Sequence, residues 1–173
     1  MIDHRIRPTE AFAEKIGELV SMLEHTRTIT LMEVSDLSQS DLDYLPDESS
    51  NSIGSLLLHI ASIEYVHQIV SNENRDLTES EYTKWQPALE LGDKARKMVK
   101  KHPLEYYLQE LSQVREDTLS LLKSKEDNWL LEEGKWENDI PYNNYYLWFH
   151  VMEDEISHRG QIRTIKRLLK NHK

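Results

Sequence analysis

Apolar residues recur at helical spacing along most of this chain, and few residues interrupt the pattern. Only five glycines and five prolines occur among 173 residues, and the alternating pattern typical of β-strands is scarce. Four long segments, at about residues 10–34, 52–70, 103–124 and 144–169, have the 3.6-residue period of an amphipathic helix. Because such helices bury their apolar faces against one another, the sequence predicts an all-α fold, a four-helix bundle.

The ends of the long helices have capping signals. Thr9 is in position to cap the first helix, and Asn143 or Asn144 to cap the last. Between helices 1 and 2 lies a long connection, residues 35–52, whose short polar side chains favour turns.

Two further segments are expected to have their own local structure. Thr78 and Glu81 have capping-box spacing, which predicts a short helix that the proline and glycine of "WQPALELGD" bring to an end. An irregular segment, residues 125–142, precedes helix 4 and is expected to contain a short hairpin around Gly134.

Length, charge and composition limit the partners of the chain. We expect residues 1–173 to form a single domain. Thirty-one acidic residues against 21 basic ones give a net charge of −10, which opposes binding to nucleic acid or anionic lipid. The longest apolar run, "LLLHIA", is too short to span a membrane. We therefore expect a cytoplasmic protein with neither a nucleic-acid nor a membrane partner. The absence of cysteine excludes zinc–thiolate sites and a protein thiol nucleophile.

Polar residues lie on the apolar faces of helices 2 and 4. Asp154 and His158 are four residues apart, so their side chains can converge on one metal ion. His59 lies among the apolar residues of helix 2 and is the best candidate for a third ligand. The alternatives are a hydrogen-bonded core histidine for His59 and an ion pair on a solvated helix face for Asp154 and His158.

Two other histidines lie too far along the same helices to join this site. His150 is eight residues from His158, and His67 is eight residues from His59, about 12 Å along each helix axis. We expect both to be core or pocket-wall residues. Gly160 lies inside helix 4, where glycine is unfavourable, and close approach by a neighbouring helix or a ligand would explain it.

Two segments together carry a resemblance to a known family. With "SIGSLLLHIASIE" on helix 2 and "WFHVMEDEISHRGQI" on helix 4, the chain resembles the DinB/YfiT-like family of metalloenzymes over nearly its whole length. The resemblance implies a four-helix bundle, a homodimer, and a divalent metal held by His59, Asp154 and His158. Asp154 takes the place of a histidine of the family pattern. A two-histidine, one-carboxylate set suits zinc, nickel, iron(II) or manganese.

Three functions follow from this resemblance and these residues. The first is a transferase that joins a low-molecular-weight thiol, such as bacillithiol or mycothiol, to a small-molecule electrophile, as some relatives do. The second is a metal-dependent hydrolase in which Glu155 or Glu153 acts as the base. The third is a non-catalytic bundle that binds a ligand or partner and keeps a degenerate metal site, because Asp154 departs from the family pattern.

Overall fold

The computed structural model describes residues 3–172, and most of them are helical. In chain order, the elements are α1 (Glu14–Val34), α2 (Gln39–Leu42), α3 (Ile53–Glu73), α4 (Glu79–Glu90), α5 (Gly92–Met98), α6 (Leu104–Lys123), a 3₁₀ turn (Asp127–Leu131), β1 (Glu133–Lys135), β2 (Pro141–Asn143) and α7 (Asn144–His172). The predicted all-α fold is confirmed, with a two-stranded hairpin as its only sheet among these residues.

The four long helices α1, α3, α6 and α7 form the bundle. α3 packs against both α6 and α7, and α1 packs against α7. Gly54 allows a close contact between α3 and α6, because a Cβ at this position would lie 2.5 Å from the Tyr107 hydroxyl. Helix α3 is therefore the central element of the bundle, and most of its polar residues are buried against the other elements.

The central position of α3 also explains its hydropathy. α3 is the one helix in residues 3–172 that is long and apolar enough to cross a membrane by length and composition. In the bundle, 67% of its most apolar window is buried. The apolar surface of α3 is thus accounted for by packing inside the protein.

The predicted cap of the first helix is wrong. Thr9 lies in a turn, where its carbonyl accepts a hydrogen bond from the Phe12 N–H at 3.0 Å, and α1 begins five residues later. The first turn of α1 is capped instead by Asp127, whose Oδ1 accepts the backbone N–H groups of Lys15 at 2.9 Å and Ile16 at 3.2 Å. A carboxylate distant in sequence therefore replaces the local cap.

The other predicted helix starts are confirmed. The Ser52 hydroxyl accepts the Ser55 N–H at the start of α3, and Asn143 Oδ1 accepts the Tyr146 N–H at the start of α7. Thr78 and its capping-box partner start α4.

The connecting segments contain more structure than predicted. Residues 35–52 include α2, and a second helix, α5, follows α4 almost directly. Pro87 lies inside α4 and does not end it. α4 ends at Glu90 because Leu91 adopts a left-handed φ of 53°. The predicted hairpin is confirmed, with Gly134 opposite Tyr142.

Candidate metal centre

Helices α3 and α7 bring three predicted site residues together. His59, Asp154 and His158 each offer a ligand atom, and these atoms all lie within 4.8 Å of one another. The Asp154 Oδ1 atom is 3.5 Å from His59 Nε2 and 3.3 Å from His158 Nε2. The side chains are only 11–13% exposed, so the group lies at the edge of the core with limited access to solvent.

The end of α4 fixes the ring of His59. His59 Nδ1 lies 2.8 Å from the Ala88 carbonyl oxygen. Because a carbonyl can only accept, Nδ1 carries the proton, and Nε2 of the neutral ring has a free lone pair. Ala88 is in the last turn of α4, where carbonyl groups have no partner within the helix. The N–H of Gly92, which would bond to the Ala88 carbonyl if the helix continued, instead donates to Asn51 Oδ1 at 2.9 Å. The Ala88 carbonyl oxygen is therefore available to His59.

Asp154 is ionised, and one of its two carboxylate oxygens has no hydrogen-bond partner among the described residues. Burial opposes its ionisation, but the adjacent His158 and His59 rings outweigh burial, so the pKa of Asp154 lies well below its usual value. Its second oxygen, Oδ2, is buried with no hydrogen-bond partner among the described residues, and the same holds for His158 Nδ1. Buried polar atoms of this kind are costly unless a further group satisfies them.

The donor set fits a divalent metal ion. Two imidazoles and one carboxylate supply the ligand types that zinc and similar ions prefer. The negative charge of Asp154 and its unpartnered Oδ2 atom both favour a cation at this position. The carbonyl that orients His59 is the usual kind of partner for a metal-binding imidazole.

The other two histidines of these helices do not join this group, but they lie next to each other. The ring centroids of His67 on α3 and His150 on α7 are 5.4 Å apart. His67 is buried, whereas the His150 side chain is 37% exposed. The expectation that they lie outside the three-residue site therefore agrees with the structure.

A buried network of four charges lies in the same bundle core and was not predicted from the sequence. Arg27 Nη2 lies 2.7 Å from Glu64 Oε2, and Arg27 Nε lies 3.1 Å from Glu155 Oε1. Arg115 Nε lies 2.7 Å from the other Glu64 oxygen. The side chains are at most 6% exposed. The charges balance, as burial of ionised groups requires.

This network overturns one of the two candidate bases for hydrolysis. Glu155 is 1% exposed and bound by the Arg27 guanidinium, so it has no access to a substrate or a catalytic water. Glu153 is exposed, and its carboxylate lies 3.3 Å from His150 Nδ1. The structure therefore excludes Glu155, the candidate base nearest to His158 in sequence.

A groove lies along α7 and is lined by Ser157, the residue before His158, although His158 itself is not among the lining residues. It has a volume of about 610 Å³ and is formed by α7 and the segment that leads into α3. Its lining is mostly hydroxyl and amide groups, among them Ser50, Asn51, Ser157, Gln161 and Thr164. This volume is within the usual range for small-molecule sites, roughly 300–1,000 Å³.

Gly160 does not mark a helix crossing within the chain. No described atom beyond its own surroundings lies within 4 Å of the position that a Cβ would occupy. The prediction that a neighbouring helix lies close to Gly160 is therefore wrong. Arg159, the preceding residue, instead connects α7 to α1 by donating to the Thr26 carbonyl at 2.9 Å.

The fold and these three residues define a helical-bundle protein with a two-histidine, one-carboxylate candidate metal centre. The family model described as mycothiol S-transferase matches residues 18–170. The chain therefore belongs to the mycothiol S-transferase family, a DinB-like family, and the resemblance seen in the sequence is confirmed. No curated protein matches the chain at a significant level.

Solved structures agree on the fold. A conserved protein from Enterococcus faecalis is similar with a TM-score of 0.69 and 18% identity, over 88% of this chain and 95% of that chain. A protein from Streptococcus pneumoniae is similar with a TM-score of 0.68 and 17% identity, over 95% of both chains. At this identity the likeness concerns the fold alone.

Proposed function

We propose that this protein is a metal-dependent S-transferase that joins a low-molecular-weight thiol, of the bacillithiol or mycothiol type, to a small electrophile. The observation that carries the proposal is the convergence of His59, Asp154 and His158 in a chain of the mycothiol S-transferase family. A bond forms between the thiol sulfur and the electrophilic carbon, the leaving group departs with its electron pair, and the thiol releases its proton. Because the chain has no cysteine, the thiol is a substrate.

The three residues would hold zinc, nickel, iron(II) or manganese. When bound, such an ion stabilises a thiolate relative to the thiol and so supplies a strong nucleophile at neutral pH. The chain contributes the orientation of the ligands. Ala88 fixes the ring of His59, and the limited exposure of all three side chains keeps most water away.

The groove along α7 is the proposed binding place for the small-molecule substrates. It is lined by residues on both sides of His158 in sequence, Ser157 and Gln161. Its hydroxyl and amide groups can donate and accept hydrogen bonds, and the Asp47 carboxylate adds one negative charge. This lining favours a polar thiol over a purely apolar ligand.

We also propose that the protein is a cytoplasmic homodimer. The family resemblance implies the dimer, and two large apolar side chains on the outside of α7 support it. Phe149 and Ile156 are each 50% exposed and lie two helical turns apart on one face. A molar mass from light scattering that corresponds to one chain would contradict the dimer.

The transferase is tested with a thiol-conjugation assay on the purified protein. Zinc, nickel, manganese and anaerobic iron(II) are each supplied with bacillithiol, mycothiol, glutathione or cysteine, and monobromobimane serves as the electrophile. We expect conjugation above the uncatalysed rate with one of the first two thiols. His59→Ala and His158→Ala are expected to lose it, whereas the matched control His25→Ala, on α1, keeps it.

Two outcomes would point elsewhere. No conjugation with any thiol and metal, together with metal-free protein after dialysis against each ion, would favour a non-catalytic bundle. Metal-dependent hydrolysis of ester or amide substrates in the absence of a thiol would overturn the transferase.

A further inference from the structure

A second pair of histidines lies between the same two helices, outside the candidate metal centre. The ring centroids of His67 and His150 are 5.4 Å apart, with an angle of 49° between the ring planes. His67 follows His59 by eight residues, so the pair is about 12 Å further along α3. The two pairs are therefore separate groups.

Each ring of this pair is oriented through its Nδ1 atom. His67 Nδ1 lies 2.7 Å from the Ile63 carbonyl oxygen. His150 Nδ1 lies 3.3 Å from Glu153 Oε2. Because these oxygens accept, both Nδ1 atoms carry protons, and the Nε2 atoms of the neutral rings have free lone pairs. Within residues 3–172, neither Nε2 atom has a hydrogen-bond partner.

This orientation is the one seen at metal-binding histidines. A ligating imidazole almost always donates its other N–H to a backbone carbonyl or a carboxylate. The pair has one partner of each type, in Ile63 and Glu153. Without such a partner, either nitrogen of a neutral histidine ring could carry the proton, and the nitrogen that faces the metal would not be determined.

We propose that His67 and His150 form a second binding site for a divalent transition-metal ion of the kind that prefers imidazole, namely nickel, copper or zinc. Two imidazoles bound to one tetrahedral ion through Nε2 place their ring centroids about 5 Å apart, given N–metal bonds of about 2.0–2.1 Å. The observed separation of 5.4 Å is close to this value. Imidazole is a good ligand for these ions.

The surroundings of the pair suit a cation that enters from solvent. The His150 side chain is 37% exposed, which provides access. His67 is buried and donates through Nδ1 to the Ile63 carbonyl, which leaves the Nε2 atom of its neutral ring as the one that can bind an ion. The Glu153 carboxylate contributes a negative charge beside the His150 ring.

The second site has fewer protein ligands than the first. It offers two imidazoles, with water completing the coordination, whereas the first site offers two imidazoles and a carboxylate. We therefore expect it to bind the same ion more weakly and to fill second. This inference is independent of the proposed transferase reaction.

The test is a calorimetric titration of the metal-free protein with Ni²⁺ at pH 7.5. We expect two equivalents in the parent, the second weaker than the first. His67→Gln and His150→Gln are each expected to lose the second equivalent and keep the first. The His150 side chain is partly exposed, so its variant is expected to fold even if the substitution at the buried His67 disturbs packing.

Two further variants separate the sites. His158→Ala is expected to lose the tight equivalent and keep the weak one, so failure of the first site is distinguishable from failure of the second. His25→Gln is the matched control, because His25 also has a histidine neighbour, His4, at 5.6 Å between ring centroids. Loss of the weak equivalent in His25→Gln, or its persistence in both His67→Gln and His150→Gln, would overturn the inference.

Discussion

The side chain of His59 and the carbonyl group of Ala88 are joined by a 2.8 Å hydrogen bond that connects the candidate metal centre to the end of α4. The carbonyl is available because the helix ends two residues later, and because Asn51 binds the N–H of Gly92. The orientation of a metal ligand therefore depends on a residue that does not belong to the metal-ligand group.

This dependence predicts the effect of Asn51→Ala. Without the Asn51 amide, the end of α4 is less fixed, and His59 loses part of its orientation. Loss of such supporting contacts typically lowers metal affinity by about 10- to 100-fold, and we expect about tenfold here. Competition with a chelating dye for zinc measures it. Asn72→Ala is the control, because Asn72 is exposed and accepts a hydrogen bond from the Lys125 side chain, outside the end of α4, and equal affinities for the two variants would contradict the prediction.

Asp154 supplies the charge of the candidate centre, and Asp154→Asn tests this role. The substitution keeps the shape of the side chain but removes the negative charge that favours a cation. We expect the affinity for zinc to fall by more than about tenfold, because an amide is a poorer ligand than a carboxylate. Asp154→His, which restores the residue of the family pattern, is expected to keep binding. Unchanged affinity in Asp154→Asn would mean that Asp154 does not contact the ion.

A substitution in α7 that breaks the buried charge network is expected to lower the free energy of unfolding far more than one at an exposed position of the same helix. Glu155→Gln leaves the Arg27 guanidinium without its full charge partner in a site that is 6% exposed. Breaking a buried pair in this way typically costs about 3–5 kcal/mol. Urea unfolding gives the free energy of unfolding. Glu153→Gln, an exposed neighbour on the same helix, is expected to change it by less than about 0.5 kcal/mol, and similar losses in both variants would argue against the network.

The sequence predicted the bundle and the three-residue group because both depend on local spacing. Helical periodicity places His59, Asp154 and His158 on inward faces, and their convergence follows once the helices pack. The cap of α1 could not be predicted in this way. Asp127 caps residues more than a hundred positions earlier, and only the packing of the 3₁₀ turn against α1 brings them together.

The buried network had a local signal that was not used. Each of its charged residues lies four positions after a buried apolar residue on the same helix, which places it on the inward face. The four pairs are Leu23 and Arg27, Ile60 and Glu64, Leu111 and Arg115, and Val151 and Glu155. Two acidic and two basic residues at such positions suggest pairing, but which residues pair depends on tertiary structure.

Because of Glu64, the free energy of unfolding is expected to decrease at low pH. Burial opposes the ionisation of Glu64, but Arg115 and Arg27 outweigh burial and hold its pKa at about 2, below the ordinary 4.5. Arg27 of α1 and Arg115 and Thr118 of α6 bind it, and Glu155 of α7 lies against the same two arginines.

The lowered pKa fixes the sign of this pH dependence. The unfolded chain binds the proton first, so the stabilisation is complete above about pH 4.5 and is lost as the pH falls towards 2. The loss is about 3 kcal/mol at about 1.4 kcal/mol per pKa unit. Urea unfolding between pH 7 and 2 measures it, and Glu64→Gln is expected to flatten the curve below pH 4.5. A parallel curve for the variant would show that other carboxyl groups cause the dependence.

Two glycines in long helices are expected to respond in opposite ways to alanine. At Gly160 a Cβ meets nothing within 4 Å, so Gly160→Ala gains helix propensity, up to about 1 kcal/mol. At Gly54 a Cβ would lie 2.5 Å from the Tyr107 hydroxyl, so Gly54→Ala forces α3 and α6 apart and is destabilising by roughly 1–3 kcal/mol. Differential scanning calorimetry is expected to show a Tm higher by about 2–4 °C for the first variant and lower for the second. A lower Tm in Gly160→Ala would contradict the open surroundings of Gly160, whereas a higher Tm combined with loss of thiol conjugation would indicate that a substrate approaches the backbone there.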